Sequence, residues 1–326
     1  MKALFKNKIS SRVSVSLVAA LVAVLASGMV AAQEKTSLRV SVIPIVDVAP
    51  LYAAIKQGYF EEQGLEVDPS PVAGGAAGIP GLIGGAYDIV FTNVVSAVLA
   101  STQGIDLKMI APGSRAGTDD PDLAAIMVRK DSGISSAGDL SGKSMAVNTK
   151  NNVIWLFARE WVDQAGGDAN RVTYREVPFP QMIDALKGRQ VDSVFVVEPF
   201  YAFGRNDPDI EFLSHPYVDV QPNVDVAQYI ALDHFIRDNP ETVERFAKAI
   251  KKGVQWVNDN RGTPAFGELV GSYSRLSPEM VEQIVVNAAP DSVVVEEVRK
   301  TAEIMVKQGL LDSVPDVDAL IHQSAR

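Results

Sequence analysis

From Leu38 onward, short apolar runs alternate with stretches of helical periodicity, and this alternation constrains the fold more than any other feature of the chain. Short apolar runs bounded by turn residues predict buried strands, and strands that alternate with helices are typical of an α/β architecture with mostly parallel sheets. Strands are predicted at residues 38–43, 65–67, 88–91, 107–110, 124–128, 144–147, 172–176, 191–197 and 226–232.

Helical patterns separate these strands and continue after the last of them. Residues 151–164 are strongly amphipathic, because Val153, Phe157 and Trp161 recur at every fourth position and indicate one buried stripe. A short helix is expected within the glycine-rich residues 74–85. The other predicted helices cover residues 49–59, 94–101, 151–164, 181–187, 240–260, 263–273, 278–286, 294–308 and 317–324.

The strand–helix pattern starts again after Asp131-Ser132-Gly133, which predicts two lobes of similar construction. We expect residues 33–127 and 226–326 to form the first lobe and residues 128–225 the second, with two crossing strands as the hinge. In open parallel sheets, ligands bind outside the carboxyl ends of the strands. Two such lobes placed face to face would therefore enclose a ligand cleft.

The first 32 residues have the pattern of a secretory signal peptide. Basic residues from Lys2 to Arg12 precede an apolar run over residues 13–30, and Val30-Ala31-Ala32 resembles a cleavage site. Cleavage after Ala32 would leave 294 residues. The alternative is a membrane anchor, but serines and a glycine interrupt the run, and no second long apolar run follows. We expect a protein of the periplasm of a Gram-negative bacterium.

Composition excludes several function classes. Removal of the signal peptide changes the formal net charge from −10 to −14, and so acidic a protein is a poor candidate for nucleic-acid binding. The chain has no cysteine, so it has no disulfide, no thiolate nucleophile and no lipid-modified cysteine as a tether. Three scattered histidines indicate no metal cluster, and we expect no metal or other cofactor.

Seven short segments follow one another in a characteristic order: residues 51–67 (LYAAIKQGYFEEQGLEV), 84–88 (GGAYD), 107–110 (LKMI), 128–134 (VRKDSGI), 139–143 (DLSGK), 188–192 (GRQVD) and 198–199 (EP). Each is a common pattern, but the ordered set resembles the solute-binding proteins of ABC importers. The similar group binds aliphatic sulfonates, taurine, nitrate and thiamine precursors. The resemblance implies a two-lobed periplasmic-binding-protein fold of type II, a small-molecule ligand, a membrane permease as partner, and a monomer.

In the first lobe, candidate binding residues follow the first two strands. Val46 and Asp47 precede the helix at 49–59, whose free backbone amides attract anions. The carboxylate of Asp47 either caps that helix or meets an ammonium group of the ligand. Gly75 follows the second strand, where a backbone without side chains lets a ligand approach or simply forms a turn.

Two further pairs follow later strands of this lobe. Thr92 and Asn93 either hydrogen-bond an oxyanion or cap the next helix. Ser114 and Arg115 lie near the expected hinge, and the guanidinium fork of Arg115 suits a carboxylate or sulfonate unless it is an ordinary surface arginine.

In the second lobe, hydroxyl and amide side chains lie at the start of the helix at 151–164, an arrangement that favours anion binding. Two aromatic residues after later strands either stack on a ring-bearing ligand or pack in the core. A glutamate beside them either holds the lobes together or contacts ligand. The candidates of this lobe are Thr149, Asn151, Asn152, Phe179, Glu198 and Tyr201.

These residues predict a protein that captures a small solute by hinge closure and presents it to a permease. The expected ligand is an organic anion, either a sulfonate or a carboxylate, and the alternative is a heteroaromatic vitamin precursor of the pyrimidine type. No activated nucleophile or G-x-S-x-G motif is present, so we expect no enzyme. A sensory protein that reports to a membrane receptor would share these features.

Overall fold

A computed structural model describes Met1, residues 35–274 and residues 276–326. Apart from Met1, the predicted signal peptide lies outside the described residues. Within the described part of the chain, no helix combines the length and the apolar character needed to span a membrane.

Within the described residues, ten strands form two sheets of five. The strands are β1 (Thr36–Val42), β2 (Leu65–Pro71), β3 (Ile89–Asn93), β4 (Leu107–Arg115), β5 (Ala124–Arg129), β6 (Ser144–Val147), β7 (Thr173–Glu176), β8 (Ser193–Val197), β9 (Ile210–Ser214) and β10 (Asp225–Leu232). The first sheet has the order β2-β1-β3-β10-β4, and the second has the order β7-β6-β8-β5-β9. We call each sheet with its helices a lobe.

Helices flank both sheets. They are α1 (Ala49–Lys56), α2 (Tyr59–Glu62), α3 (Gly75–Ile83), α4 (Val94–Thr102), α5 (Val153–Gln164), α6 (Phe179–Lys187), α7 (Phe200–Arg205), α8 (Pro216–Val220), α9 (Asp233–Asp238), α10 (Pro240–Asn260), α11 (Pro264–Ser274), α12 (Pro278–Val281), α13 (Val295–Lys307) and α14 (Val317–Leu320). The predicted two-lobed α/β fold is therefore confirmed.

Each sheet is mixed, with one reversed strand in the same place. In the first sheet β10 runs antiparallel to both β3 and β4, while β1 is parallel to β2 and β3. In the second sheet β5 runs antiparallel to β8 and β9, while β6 is parallel to β7 and β8. Every residue of β3, β5 and β8 is buried, as expected for central strands covered on both faces.

The sheets correct one assignment made from the sequence. The strand predicted at 124–128 was placed in the first lobe, but β5 belongs to the second sheet. Its apolar run fits either sheet, and only the pairing with β8 and β9 decides between them.

Two segments connect the sheets side by side. One follows β4 and the other precedes β10, and they are joined by hydrogen bonds from Ala116 N to Val224 O (3.0 Å) and from Asn223 N to Gly117 O (3.0 Å). A pair of connections at one edge can act as a hinge, because few backbone torsions need to change for the lobes to move.

The sequence missed the elements between residues 200 and 220. Strand β9 and helices α7 and α8 lie in the proline-rich stretch that was read as turns. Their prolines do not break the elements, since Pro216 occupies the first turn of α8. Helix 278–286 was predicted too long and ends at Val281, and helix 317–324 ends at Leu320 before a separate short turn at 323–325.

Helix α10 packs on α1 through a glycine. A Cβ atom at Gly253 would lie 2.0 Å from the carbonyl oxygen of Pro50, so only glycine permits this approach. We expect Gly253→Ala to lower the free energy of unfolding by about 2 kcal/mol or more. The control is Gly267→Ala in α11, where the new Cβ would make an ordinary contact at 3.6 Å. Urea unfolding of both variants checks this, and equal midpoints would contradict it.

Candidate ligand-binding cleft

A small cavity lies between the lobes, at the carboxyl ends of strands from both sheets. Its volume is about 30 Å³, which is room for one or two water molecules. The lining residues lie within or directly after β1, β2 and β3 in the first lobe and β6, β7 and β8 in the second, with contributions from the start of β10 and from α8. They are Ile43, Ile45, Asp47, Gly75, Phe91, Asn93, Asn148, Asn152, Val153, Ile154, Phe179, Val197, Tyr217, Val226 and Ala227.

Two asparagines bring the N-termini of α4 and α5 together across the cleft. Asn93 Oδ1 accepts a hydrogen bond from Ser96 N (2.9 Å) within its own lobe and one from Val153 N (3.2 Å) of the other lobe. Asn152 caps α5 by accepting from Trp155 N (3.0 Å). Asn93 therefore acts as the predicted helix cap and also joins the two lobes.

The glycine pair at the start of α3 is required by close packing. A Cβ at Gly75 would lie 2.6 Å from Thr92 Oγ1 and 2.7 Å from Thr92 Cα. A Cβ at Gly74 would lie 3.2 Å from Thr149 Oγ1 of the other lobe. Glycine here lets α3 lie against the end of β3 and lets the lobes meet. The buried Oγ1 of Thr92 has no partner among the described residues.

Asp47 is a buried carboxylate in the wall of the cleft. Its side chain is in a short 3₁₀ turn before α1, and the residue is 8% exposed. Oδ2 accepts a hydrogen bond from Ser114 Oγ (2.5 Å), while Oδ1 has no partner in the described part of the chain. Burial raises the pKa of Asp47 to about 6, although the Ser114 hydroxyl opposes the shift.

Glu198 connects the lobes from the end of β8. Its carboxylate is fully buried, and Oε2 accepts from Ala202 N (3.0 Å) in its own lobe. Oε1 accepts from Val285 N (2.8 Å), which lies in the segment between α12 and α13. The backbone oxygen of Glu198 accepts from Val46 N (3.4 Å). Of the two roles considered for Glu198, these contacts are those of a latch between the lobes.

Arg115 is engaged within the protein. Its Nε donates to Asp225 Oδ1 (2.8 Å), and one terminal nitrogen donates to the backbone oxygen of Ser292 (2.8 Å). The side chain of Asp225 is 2% exposed, so this is a largely buried ion pair. Arg115 does not line the cleft, and its role as an anion ligand stays a prediction that these contacts do not favour.

The predicted site residues divide into three groups. The structure brings Asp47, Gly75, Asn93, Asn152 and Phe179 together around the cleft. A second cavity of about 30 Å³ shares Asp47 with the cleft and adds three of the candidates, Val46, Ser114 and Arg115. The candidates outside both cavities are Thr92, Thr149, Asn151, Glu198 and Tyr201.

Several of these residues have structural contacts that explain their positions. Phe179 stacks on Phe200, with ring centroids 6.1 Å apart. Tyr201 packs edge-on against His215 and under Arg205. Asn151 is exposed and has a positive φ of 55°.

The cleft lining is mostly apolar and carries one carboxyl group, that of Asp47. No lysine, arginine or histidine is among the described residues that line it. The described part of the chain also has no cluster of acidic residues and histidines suited to a metal ion. The sequence does not reveal the aliphatic lining or Tyr217, because apolar residues at strand ends resemble core residues and Tyr217 lies in α8, in a stretch whose prolines predict turns.

Residues 45–261 match the family described as NMT1/THI5 like, and this range covers well over half of the chain. The chain belongs to the NMT1/THI5 like family. Its matched range begins just before Asp47 and includes β2 to β10, the crossing segments and all of α10. The family resemblance that the seven segments indicated is thereby confirmed.

Two curated relatives of this family member are named as binding proteins. The chain is 22% identical to the binding protein YtlA of Bacillus subtilis over 255 residues, which are 77% of this chain and 75% of YtlA. It is 23% identical to the formylaminopyrimidine-binding protein of Halalkalibacterium halodurans over 215 residues, which are 64% of this chain and 62% of that protein.

Two solved structures share the fold of this NMT1/THI5 like protein. The ligand-binding component of an ABC-type import system from Staphylococcus aureus, with zinc bound, matches with a TM-score of 0.76 at 16% identity, covering 89% of this chain and 98% of that one. The alkanesulfonate-binding protein SsuA of Xanthomonas axonopodis, bound to MOPS, matches with a TM-score of 0.74 at 16% identity, covering 89% and 99%. At these identities the likeness establishes the fold.

The buried latch predicts a pH dependence of stability. Burial raises the pKa of Glu198 to about 7, above its usual value near 4.5. A carboxyl with a raised pKa stabilises the fold fully below its unfolded pKa, and the contribution is lost as the pH rises through 7. Between pH 5 and pH 8, the unfolding free energy should therefore fall by about 2.5 kcal/mol less in Glu198→Gln than in wild type.

Urea unfolding at both pH values measures this difference. Glu211→Gln is the matched control, since Glu211 is exposed on β9 of the same lobe. The expectation is wrong if Glu198→Gln and Glu211→Gln show the same pH dependence.

The pair formed by Arg115 and Asp225 predicts a loss of stability rather than of binding. Burial raises the pKa of Asp225 to about 6 even though Arg115 opposes the shift. Arg115→Ala would leave a buried charge without a partner, so the unfolding free energy at pH 8 should fall by about 3 kcal/mol. At pH 5 the loss should be smaller, because Asp225 is then mostly protonated. The double variant Arg115→Met, Asp225→Asn should regain most of the stability, and a double variant as unstable as Arg115→Ala would contradict this account.

Proposed function

We propose that this protein is the exported solute-binding component of an ABC importer, which captures a small organic solute between its lobes and delivers it to a membrane permease. The observation that carries the proposal is the cleft itself, because residues of both sheets line it at the carboxyl ends of their strands. The likeness to the ligand-binding component of an ABC-type import system supports the transport role. The signal-like first 32 residues support export to the periplasm.

The small volume of the cleft implies a closing motion. The cleft volume of about 30 Å³ is far below the roughly 300–1,000 Å³ typical of ligand pockets, so we infer that a solute enters when the lobes separate. The contacts from Val153 N to Asn93 and from Val285 N to Glu198 cross between the lobes and would break on opening. A solute that contacts both lobes stabilises a closed form relative to the open form, which is a population shift.

The contacts in the cleft change the order of the two ligand classes. The prediction of an organic anion rested on Arg115 and on free helix amides, but Arg115 is paired with Asp225. The amides of Val153 and Trp155 at the start of α5 are engaged by Asn93 and Asn152. We therefore place a heteroaromatic solute first, and the named ligand of the formylaminopyrimidine-binding relative agrees with that choice. An organic anion remains the second candidate ligand, because two helix N-termini meet at the cleft.

A thermal-shift screen of the mature protein tests this function. The panel comprises aminopyrimidines, aromatic amidines, aromatic carboxylates, sulfonates and nitrate. A solute present at 100 times its dissociation constant should add about 2.7 kcal/mol of stability. Small-angle scattering with the same solute should show a smaller radius of gyration. If no member of the panel raises the melting temperature or compacts the protein, the proposed function is wrong.

A further inference from the structure

We propose that Asp47 selects the solute by accepting a hydrogen bond from it, so that the ligand carries an N–H or ammonium group rather than an anionic head. The proposal rests on the proposed function, since it concerns the ligand of the same cleft. It reverses the charge expected from the sequence, where an organic anion was favoured.

One carboxylate oxygen of Asp47 is buried without a partner among the described residues. A carboxylate has two oxygens that both accept hydrogen bonds. Ser114 Oγ occupies Oδ2 at 2.5 Å, whereas the buried Oδ1 has no partner among the described residues. Asp47 lines both the cleft and the adjoining cavity, so a group entering either space meets this side chain. Buried polar atoms are nearly always satisfied, and an exception in a cleft indicates a missing partner.

Asp47 also lacks a compensating positive charge among its described neighbours. Four ionisable groups interact electrostatically with Asp47. They are Asp122 before β5, Tyr217 on α8, Tyr229 on β10 and Tyr273 on α11. None of these described neighbours is basic. The hydroxyls of the three tyrosines are also buried and unpaired.

The nearest basic candidate does not supply that charge. Arg115 shares the adjoining cavity with Asp47 but donates to Asp225 and to Ser292. The contrast with Asp225 is informative, because Asp225 is equally well buried and does have a guanidinium partner. Asp122 is also buried and keeps one oxygen without a partner, but it lines neither cavity. Asp47 is thus the cleft-lining acid for which the described residues provide no counterpart, which fits a counterpart brought by the ligand.

The chemistry of this arrangement defines the ligand class. An amino group on a heteroaromatic ring, an amidine or a primary ammonium can donate to Oδ1 while its apolar part lies against Ile45, Phe91 and Phe179. A sulfonate or carboxylate at the same place would meet a like charge without a basic residue to offset it. Asp47 then acts as a specificity-determining residue, with Ser114 fixing the orientation of its carboxylate.

The test compares wild type with Asp47→Asn, which keeps the shape of the side chain and removes its charge. The probes are 4-aminopyrimidine and benzamidine as donors, and benzoate and taurine as anions, each followed by calorimetric titration. The control variant is Asp68→Asn, which removes the same charge from an exposed position on β2. We expect a donor probe to bind wild type and Asp68→Asn equally, and Asp47→Asn at least tenfold more weakly.

Two further readouts separate recognition from a structural effect. Since the pKa of Asp47 is about 6, the affinity of wild type for the permanently charged benzamidine should fall about tenfold from pH 7 to pH 5. Asp47→Asn should show no such dependence. Without any probe, Asp47→Asn should melt at the same or a higher temperature than wild type, because a buried uncompensated charge has been removed.

Each outcome has a defined meaning. Binding of benzoate or taurine to wild type, with an affinity that Asp47→Asn leaves unchanged, would overturn the role of Asp47 while the binding function stands. A donor probe that binds wild type and Asp47→Asn equally well would do the same. If none of the four probes binds wild type while another member of the thermal-shift panel does, the inference is overturned and the proposed function stands.

Discussion

The hydrogen bond from Val153 N to Asn93 Oδ1 is the contact on which the arrangement of the lobes depends. It joins the N-terminus of α5 in one lobe to the cap of α4 in the other, at the floor of the cleft. Glu198 makes a second connection to Val285 N. Both bonds use a backbone amide on one side and a buried side-chain oxygen on the other, so closing the lobes fixes the relative position of two helix starts and two strand ends.

Three buried carboxylates near these contacts differ in how their charge is compensated away from water. Asp225 is paired with a guanidinium, Glu198 accepts two backbone amides, and Asp47 keeps one oxygen without a partner. In the first two arrangements the protein itself supplies the hydrogen-bond partners of the carboxylate. The third weakens the protein until a donor arrives, which is the balance expected where a binding site is built at some expense of stability.

The sequence was sufficient for the architecture and for part of the cleft. Apolar runs and helical periodicity placed nine of the ten strands, because burial of a strand or of one helix face leaves a direct pattern in the residues. Strand ends pointed to Asp47, Asn93 and Asn152, which line the cleft, and their contact with a ligand stays a prediction. The pairing of Arg115 with Asp225 joins residues 110 positions apart, and no local pattern reveals it. The sheet membership of β5 and the position of Tyr217 could not be predicted either, because both depend on long-range contacts.

Hydrogen exchange of two neighbouring amides tests the clamp most directly. Val153 N is bonded across the lobes to Asn93, while Trp155 N is bonded to Asn152 within one lobe. If the lobes open and close around a solute, saturation with that solute should slow exchange at Val153 at least tenfold and leave Trp155 nearly unchanged. Equal protection of Val153 with and without the solute, or parallel changes at both amides, would contradict closure of the lobes as the binding mechanism.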